Sequence, residues 1–330
     1  MSAWLPEIFM ALMGVAMFAY VILDGFDLGV GILLPGADEA QKDLMIASIG
    51  PFWDANETWL VLGVGILLIA FPVAHGVILG ALYMPVTLML IALILRGVAF
   101  DFRVKARAQH KHLWDRAFFA GSALAALSQG FMLGAYILGF EWSLANFTFA
   151  GFIGVCLLAG YSLLGATWLM LKTGGELQAK AVRWARVALW LTAFGIAGVS
   201  IATPLVSARI FDKWFALPNF LLLMPIPLAS VALVLLADRS LRRLSGGISG
   251  APKLPFACAV GLFTSAFAGL AYSLYPYLVV DRITIHQAAA ASGSLWIILF
   301  GVAVTLPMIL GYSAYTYSVF RGPAKPLDYG

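Results

Sequence analysis

Charge is what this chain has least of. Only 11% of its 330 residues are Asp, Glu, Lys or Arg, where soluble domains carry about 25%. That shortage excludes an ordinary water-soluble surface. Cysteine is scarce as well: Cys156 and Cys258 stand far apart, both inside apolar runs. They make no disulfide framework and no CxxC centre, and read as small apolar packing residues. Histidine occurs four times. His110 and His112 fall in a basic loop, with a spacing that does not suit one helix face and no Cys or third His beside them. His75 follows Phe71-Pro72 at a hairpin tip, and His286 lies in another loop. No histidine therefore sits midway along an apolar run, where a buried metal centre would need it. A large hydrophilic domain is also missing, since the longest connections run to about 17–18 residues. Internal repeats and low-complexity tails are not evident.

Apolar runs fill the space that charge leaves. Hydrophobic residues make up 62% of the chain, and runs of about 18 or more residues recur from end to end, long enough for a ~30 Å hydrocarbon core. Because the runs are continuous rather than alternating, a β-barrel is excluded. The pattern predicts an all-α, polytopic membrane protein. Nine spans are expected, at about 8–34, 53–71, 75–100, 117–139, 147–171, 184–206, 218–237, 256–278 and 295–319. The first run continues too far and lacks a basic leader, so it reads as a retained span rather than a cleaved signal.

The net charge of +4 is too small and too dispersed to mark a nucleic-acid partner. Its distribution sets orientation instead. Seventeen of the 20 Lys and Arg residues fall at one face, including Lys42, Arg103, Lys111, Lys172, Lys180 and Arg242; Arg209, Lys213 and Arg282 alone fall at the other. By the positive-inside rule the N-terminus lies outside and the C-terminus in the cytoplasm. Organisation along the chain is that of one integral membrane domain over 1–330. Its intramembrane polar groups concentrate in 1–105, while 106–330 reads as scaffold and subunit contact. Gly121, Ser122, Gly154 and Gly165 there are small residues of the kind that let helices approach closely.

Carboxylates inside apolar segments are the most informative feature present. Asp24 and Asp27 share FAYVILDGFDLGVGILL; Asp54 and Glu57 share GPFWDANETWLVLGVGIL. An ionisable group in hydrocarbon costs roughly 3 kcal/mol on insertion scales, so it is rare without a function or a partner. Each pair is spaced i, i+3, which puts both acids on one helix face. Two such pairs near one end of neighbouring helices suit a proton entry route. Plainer readings stand beside this one. Asp24 and Asp27 could form a structural ion pair with Arg96, and Asp54 and Glu57 could serve a helix N-terminus. Trp53 and Trp59 read by default as interfacial aromatics. Arg96, close to Asp101 at the end of the third span, either snorkels to the interface or faces Asp24 or Asp54.

Three motifs carry a resemblance. LDGFDLGVG in the first span, IGPFWDANETWL entering the second and LRGVAFDFR closing the third resemble subunit II of the cytochrome bd-type quinol oxidases, including the cyanide-insensitive branch. The match is specific in the first 105 residues and architectural beyond them. It implies a subunit of a bacterial terminal oxidase that oxidises quinol and reduces O2 to water, in the cytoplasmic (inner) membrane. Two b-type haems and one d-type haem are expected in the partner, subunit I, and none on this chain. Membrane lipid surrounds such a complex, and the family leaves room for a bound quinone and a small single-helix accessory subunit. Carried over by motif, Asp24 and Asp54 are the first choices for a proton path. Asp27, Asn56 and Glu57 follow, with Arg96, Trp53 and Asp101 as tuning or structural residues. A contrasting reading is a secondary transporter that uses the buried carboxylates as coupling-ion sites; a third is a purely structural subunit with every acid satisfied by salt bridges.

Overall fold

The computed structural model describes residues 4–245 and 252–325, the side chains of residues 108 and 206 apart. Among the described residues nine helices are long and apolar enough to cross a membrane. Spans one to five are Leu5–Gly36, Trp53–Ala70, Tyr83–Lys105, Lys111–Ile137 and Leu144–Lys172. Spans six to nine are Gly175–Leu205, Asn219–Ser245, Lys253–Leu274 and Ser292–Val319. At 1.5 Å per residue, the 23 residues of span three reach across a bilayer core with little to spare.

Span five is the centre of the assembly. It packs against spans one, four, six and eight, while span one also packs against spans two and four. Of span five's most apolar window 56% is buried within the chain, against 6% for span nine. Span nine is therefore peripheral, and presents Ile297, Phe300, Met308, Tyr312 and Tyr315 outward. Small residues set the closest approaches. A Cβ on Gly29 would collide with the Tyr161 carbonyl, and one on Gly165 would meet the Gly29 backbone. Spans one and five can cross there only because neither position has a side chain. Gly121 and Gly154 are likewise seated against neighbouring backbones, as expected for packing faces.

Boundaries differ from the sequence reading where proline intervenes. Span three begins at Tyr83, not near 75, because Pro72–Ala81 forms a separate short helix. Phe71 leaves helical geometry at φ −134°, ψ 58°, and Pro72 restarts the helix at its first turn, where its missing N–H costs nothing. His75 belongs to this short helix. A further helix, Glu39–Ile49, follows span one and opens on a capping box between Asp38 and Gln41. Strands Tyr277–Val279 and Ile283–Thr284 pair antiparallel after span eight. Cys156 and Cys258 are both free thiols.

Candidate functional site: a sealed carboxylate cluster

The i, i+3 spacing on span one places Asp24 and Asp27 on the face turned inward, and both are fully buried. Arg96 meets Asp24 from span three. It does not snorkel: its side chain is 1% exposed, and Nη1 lies 2.7 Å from Asp24 Oδ1. Its other terminal nitrogen donates to Glu57 on span two. Trp53 covers the guanidinium, with the ring centroid 5.9 Å away, and packs on Phe100 at 4.9 Å. The choice left open by the sequence thus resolves toward Asp24 and away from Asp54.

Asp27 is held differently. Asn56 Nδ2 donates to Asp27 Oδ2 at 2.8 Å and to the Leu23 carbonyl at 3.3 Å. Tyr317, from span nine, donates its hydroxyl to Asn56 Oδ1 at 3.0 Å. Asp27 Oδ1 is buried without a hydrogen-bond partner among the described residues. An aromatic wall closes this side. Phe26 stacks on Trp168 at 4.1 Å, and Phe52 stacks on Tyr317 at 4.5 Å. Such a wall excludes bulk water and strengthens every charge interaction behind it.

Asp24, Asp27, Asn56, Glu57, Arg96 and Trp53 therefore converge. Asp54 and Asp101 do not enter the buried cluster; both are exposed on the chain. Glu57 stands between, its side chain 26% exposed, so it connects the sealed interior to the chain's surface on the Asp54 side. Trp59, expected at an interface, is instead buried at 3% exposure. It packs with Ala16 and Tyr20.

Several polar groups were not singled out from the sequence. Tyr20, one turn before Asp24 on the same span, is buried at 2% exposure. Gln129 on span four donates to the Tyr20 hydroxyl at 2.7 Å and accepts from Tyr161 at 2.6 Å. An i−4 tyrosine before a buried acid, and a lone amide in an apolar run, were the available signals. Buried polar groups thus come from spans four, five and nine as well as from the first three.

A second charge cluster lies at the Lys42 end of the spans. Arg103, counted from sequence among the loop charges, is buried at 2% exposure. Its Nε lies 2.5 Å from Asp115 and its Nη1 2.6 Å from Asp43. Lys42 reaches Asp115 at 3.1 Å and Glu39 at 2.7 Å. Burial works against the charge on Lys42, but hydrogen bonds to the two carboxylates outweigh it and hold its pKa above the ordinary lysine value. The cluster pins the Glu39–Ile49 helix across the ends of spans three and four, and Trp168 Nε1 adds a bond to the Ser48 carbonyl at 3.3 Å.

These features define a helical, multi-pass membrane protein with one carboxylate cluster buried among its spans and a second charge cluster at their ends. Among the described residues no group of three or more His, Cys, Asp or Glu is arranged to hold a metal ion. Residues 5–320 match the family described as cytochrome bd terminal oxidase subunit II. The chain belongs to that family. It is 28% identical over 342 residues to the cytochrome bd ubiquinol oxidase subunit 2 of Bacillus subtilis strain 168, covering 97% of this chain and 96% of that one. With the cytochrome bd-I ubiquinol oxidase subunit 2 of Escherichia coli K12 it shares 27% over 353 residues, 93% of this chain and 91% of that one. Its fold is similar to a chain of the bd oxidase from Geobacillus thermodenitrificans, with a TM-score of 0.74 at 17% identity, over 96% of this chain and 98% of that one. The chain is accordingly a subunit of a terminal quinol oxidase, a quinol:O2 oxidoreductase, and forms a complex with subunit I. The transporter alternative is not favoured.

Proposed function

We propose that this subunit carries a proton route from the cytoplasmic face into the oxidase. Asp54 and Glu57 stand at its mouth and Asp24 and Asp27 inside it. Asn56 and Arg96 hold the inner acids, Trp53 covers Arg96, and Asp101 lies outside the cluster at the end of span three. The observation that carries this reading is the make-up of the cluster. Two carboxyl groups, Asp24 and Glu57, meet one guanidinium, and a third, Asp27, is buried one helical turn from Asp24 on the Asn56 amide. Proton-binding sites thus outnumber counter-charges in a site whose inner acids are buried, which is what a proton reservoir needs. Graded exposure, from Asp54 on the surface through half-buried Glu57 to fully buried Asp24, supports the direction of entry. The Lys and Arg distribution puts the N-terminus outside and this mouth in the cytoplasm, in a bacterial cytoplasmic (inner) membrane.

On this reading the two b-type haems and the d-type haem belong to subunit I and supply the oxygen chemistry there. The residues of this chain do not fit a haem of its own: its four histidines lie at helix ends or in short connecting helices, away from any buried axial position. What this chain does is hold and pass protons at its carboxyl oxygens. Quinol is the reductant, as the names of the Bacillus and Escherichia relatives indicate for those proteins. The outward apolar faces, span nine foremost, suit membrane lipid, a bound quinone or a single-helix accessory subunit. Residues 1–105 then carry most of the proton chemistry, and 106–330 most of the scaffold.

The test is quinol-driven oxygen uptake by the complex with Asp24→Asn, beside its haem spectrum. Uptake falls by roughly a hundredfold, the scale of lost proton-transfer assistance, with all haem bands retained. Full uptake would return Asp24 to a structural role.

A further inference from the structure

Gln129 stands outside the carboxylate cluster yet touches it through one intermediary. Its carboxamide has two unlike ends, and both are committed. The Tyr161 hydroxyl donates to Oε1 at 2.6 Å, and Nε2 donates to the Tyr20 hydroxyl oxygen at 2.7 Å. Tyr161 is not free to turn away. It is fully buried and stacks on Phe263 with centroids 6.0 Å apart. Gly25 leaves the space its ring occupies, since a Cβ there would come within 2.8 Å of Cε1. The amide is therefore oriented from one side by a fixed ring.

A phenol has one proton to give. With Gln129 donating to it, Tyr20 oxygen acts as acceptor on that side, and its own O–H is left to turn toward Asp24, one helical turn along, whose two carboxylate oxygens are buried without a hydrogen bond among the described residues. We propose that Gln129 is a positioning residue for the proton route: it fixes the direction of the Tyr20 hydroxyl and thereby aims a hydrogen-bond donor toward Asp24, whose carboxylate is ion-paired with Arg96. The inference rests on the reading of Asp24 as a member of that route. The other charged or titratable groups facing Asp24 are Arg96, Asp27, Glu57, Tyr161 and Tyr317. An amide neither takes up nor releases a proton near neutral pH, so Tyr161 beyond it is cut off from proton traffic. A proton on Asp24 is left the carboxyl side of the cluster, toward Asp27 and Glu57.

The experiment uses the whole oxidase complex carrying Gln129→Leu, Tyr20→Phe or Asp24→Asn, and Gln129→Leu combined with Asp24→Asn. Three readouts are taken: haem bands, kcat and KM for quinol, and the infrared carboxyl band that Asp24→Asn abolishes. Gln129→Leu and Tyr20→Phe are each expected to displace that band. They should lower kcat about three- to tenfold, the scale of one hydrogen bond, with KM and haem bands unchanged. In the Asp24→Asn background Gln129→Leu adds nothing further. A band that stays put in both variants overturns the proposal, as does a wild-type complex in which Asp24→Asn removes no band. If Gln129→Leu fails to assemble, Tyr20→Phe, which keeps the ring and removes only the hydroxyl, decides alone. Unaltered turnover in Asp24→Asn would overturn the proton-route reading instead, while the band displacement still reports on positioning.

Discussion

Replacing Arg96 by Gln removes the single positive charge of the buried cluster while keeping a polar side chain. The residue is 1% exposed and faces Asp24 at 2.7 Å and Glu57 at contact distance. Removing one partner of a buried ion pair costs about 3–5 kcal/mol, because the other charge is left uncompensated. That is roughly two to nearly four powers of ten in the folded-to-unfolded ratio. Loss of the stacking contact with Trp53 adds about 0.5–1 kcal/mol. Little of the cost is packing of the backbone, since Gly121 still seats against the main chain at position 96. The assay is thermal loss of haem absorbance in the purified complex, for Arg96→Gln, Asp24→Asn and the pair together. Arg96→Gln should melt well below the parent. Adding Asp24→Asn should restore at least half of the deficit, because it removes the charge that was stranded. Asp24→Asn alone should cost less, since Arg96 keeps Glu57. A single Arg96→Gln as stable as the parent, or a double variant worse than it, would refute the assignment of Arg96 as the counter-ion.

Gly29→Ala drives a methyl into the Tyr161 carbonyl, where spans one and five cross backbone to backbone. Overpacking of that kind costs about 1–3 kcal/mol, read as a lower yield of haem-loaded complex. Lys172 holds the end of span nine through the Phe320 and Gly322 carbonyls and sits 4.9 Å from the Trp168 ring centroid; Lys172→Met should speed tryptic cleavage at Arg321, and unchanged cleavage would count against the latch. For Lys42, a pKa held above its unfolded value means that the favourable contribution is fully present below the ordinary lysine range. It is lost only as pH rises through the raised value. Hydrogen exchange in the Glu39–Ile49 helix should therefore keep constant protection through neutral pH and lose it only in strongly alkaline solution.

Membrane residence, helix count and helical class were legible in the chain because hydrocarbon leaves few ways to satisfy a backbone. Nine runs of the right length were enough. The buried acids were legible for the same reason: a carboxyl group in an apolar run is costly, so it is conspicuous. Asp24, Asp27 and Glu57 stand out in the sequence alone. Spacing also put Asp24 and Asp27 on one buried helix face, whereas Asp54, paired with Glu57 by the same rule, stays exposed outside the cluster.

Only the tertiary structure decided which charges meet. Arg96 lies 72 positions from Asp24 and 39 from Glu57 by number, and nothing local says that it turns inward rather than toward the interface. The same holds for Arg103, which looked like a loop charge and is buried between Asp43 and Asp115. Tyr317 reaches Asn56 from the far end of the chain, and Gln129 reaches Tyr20 across a helix contact. Local sequence fixes how a residue sits on its own helix, through a 3.6-residue period and the cost of burying charge. Partner choice depends on how nine rods rotate against one another, and that rotation is set by small-residue contacts such as Gly29 on Gly165, which carry no charge signal at all.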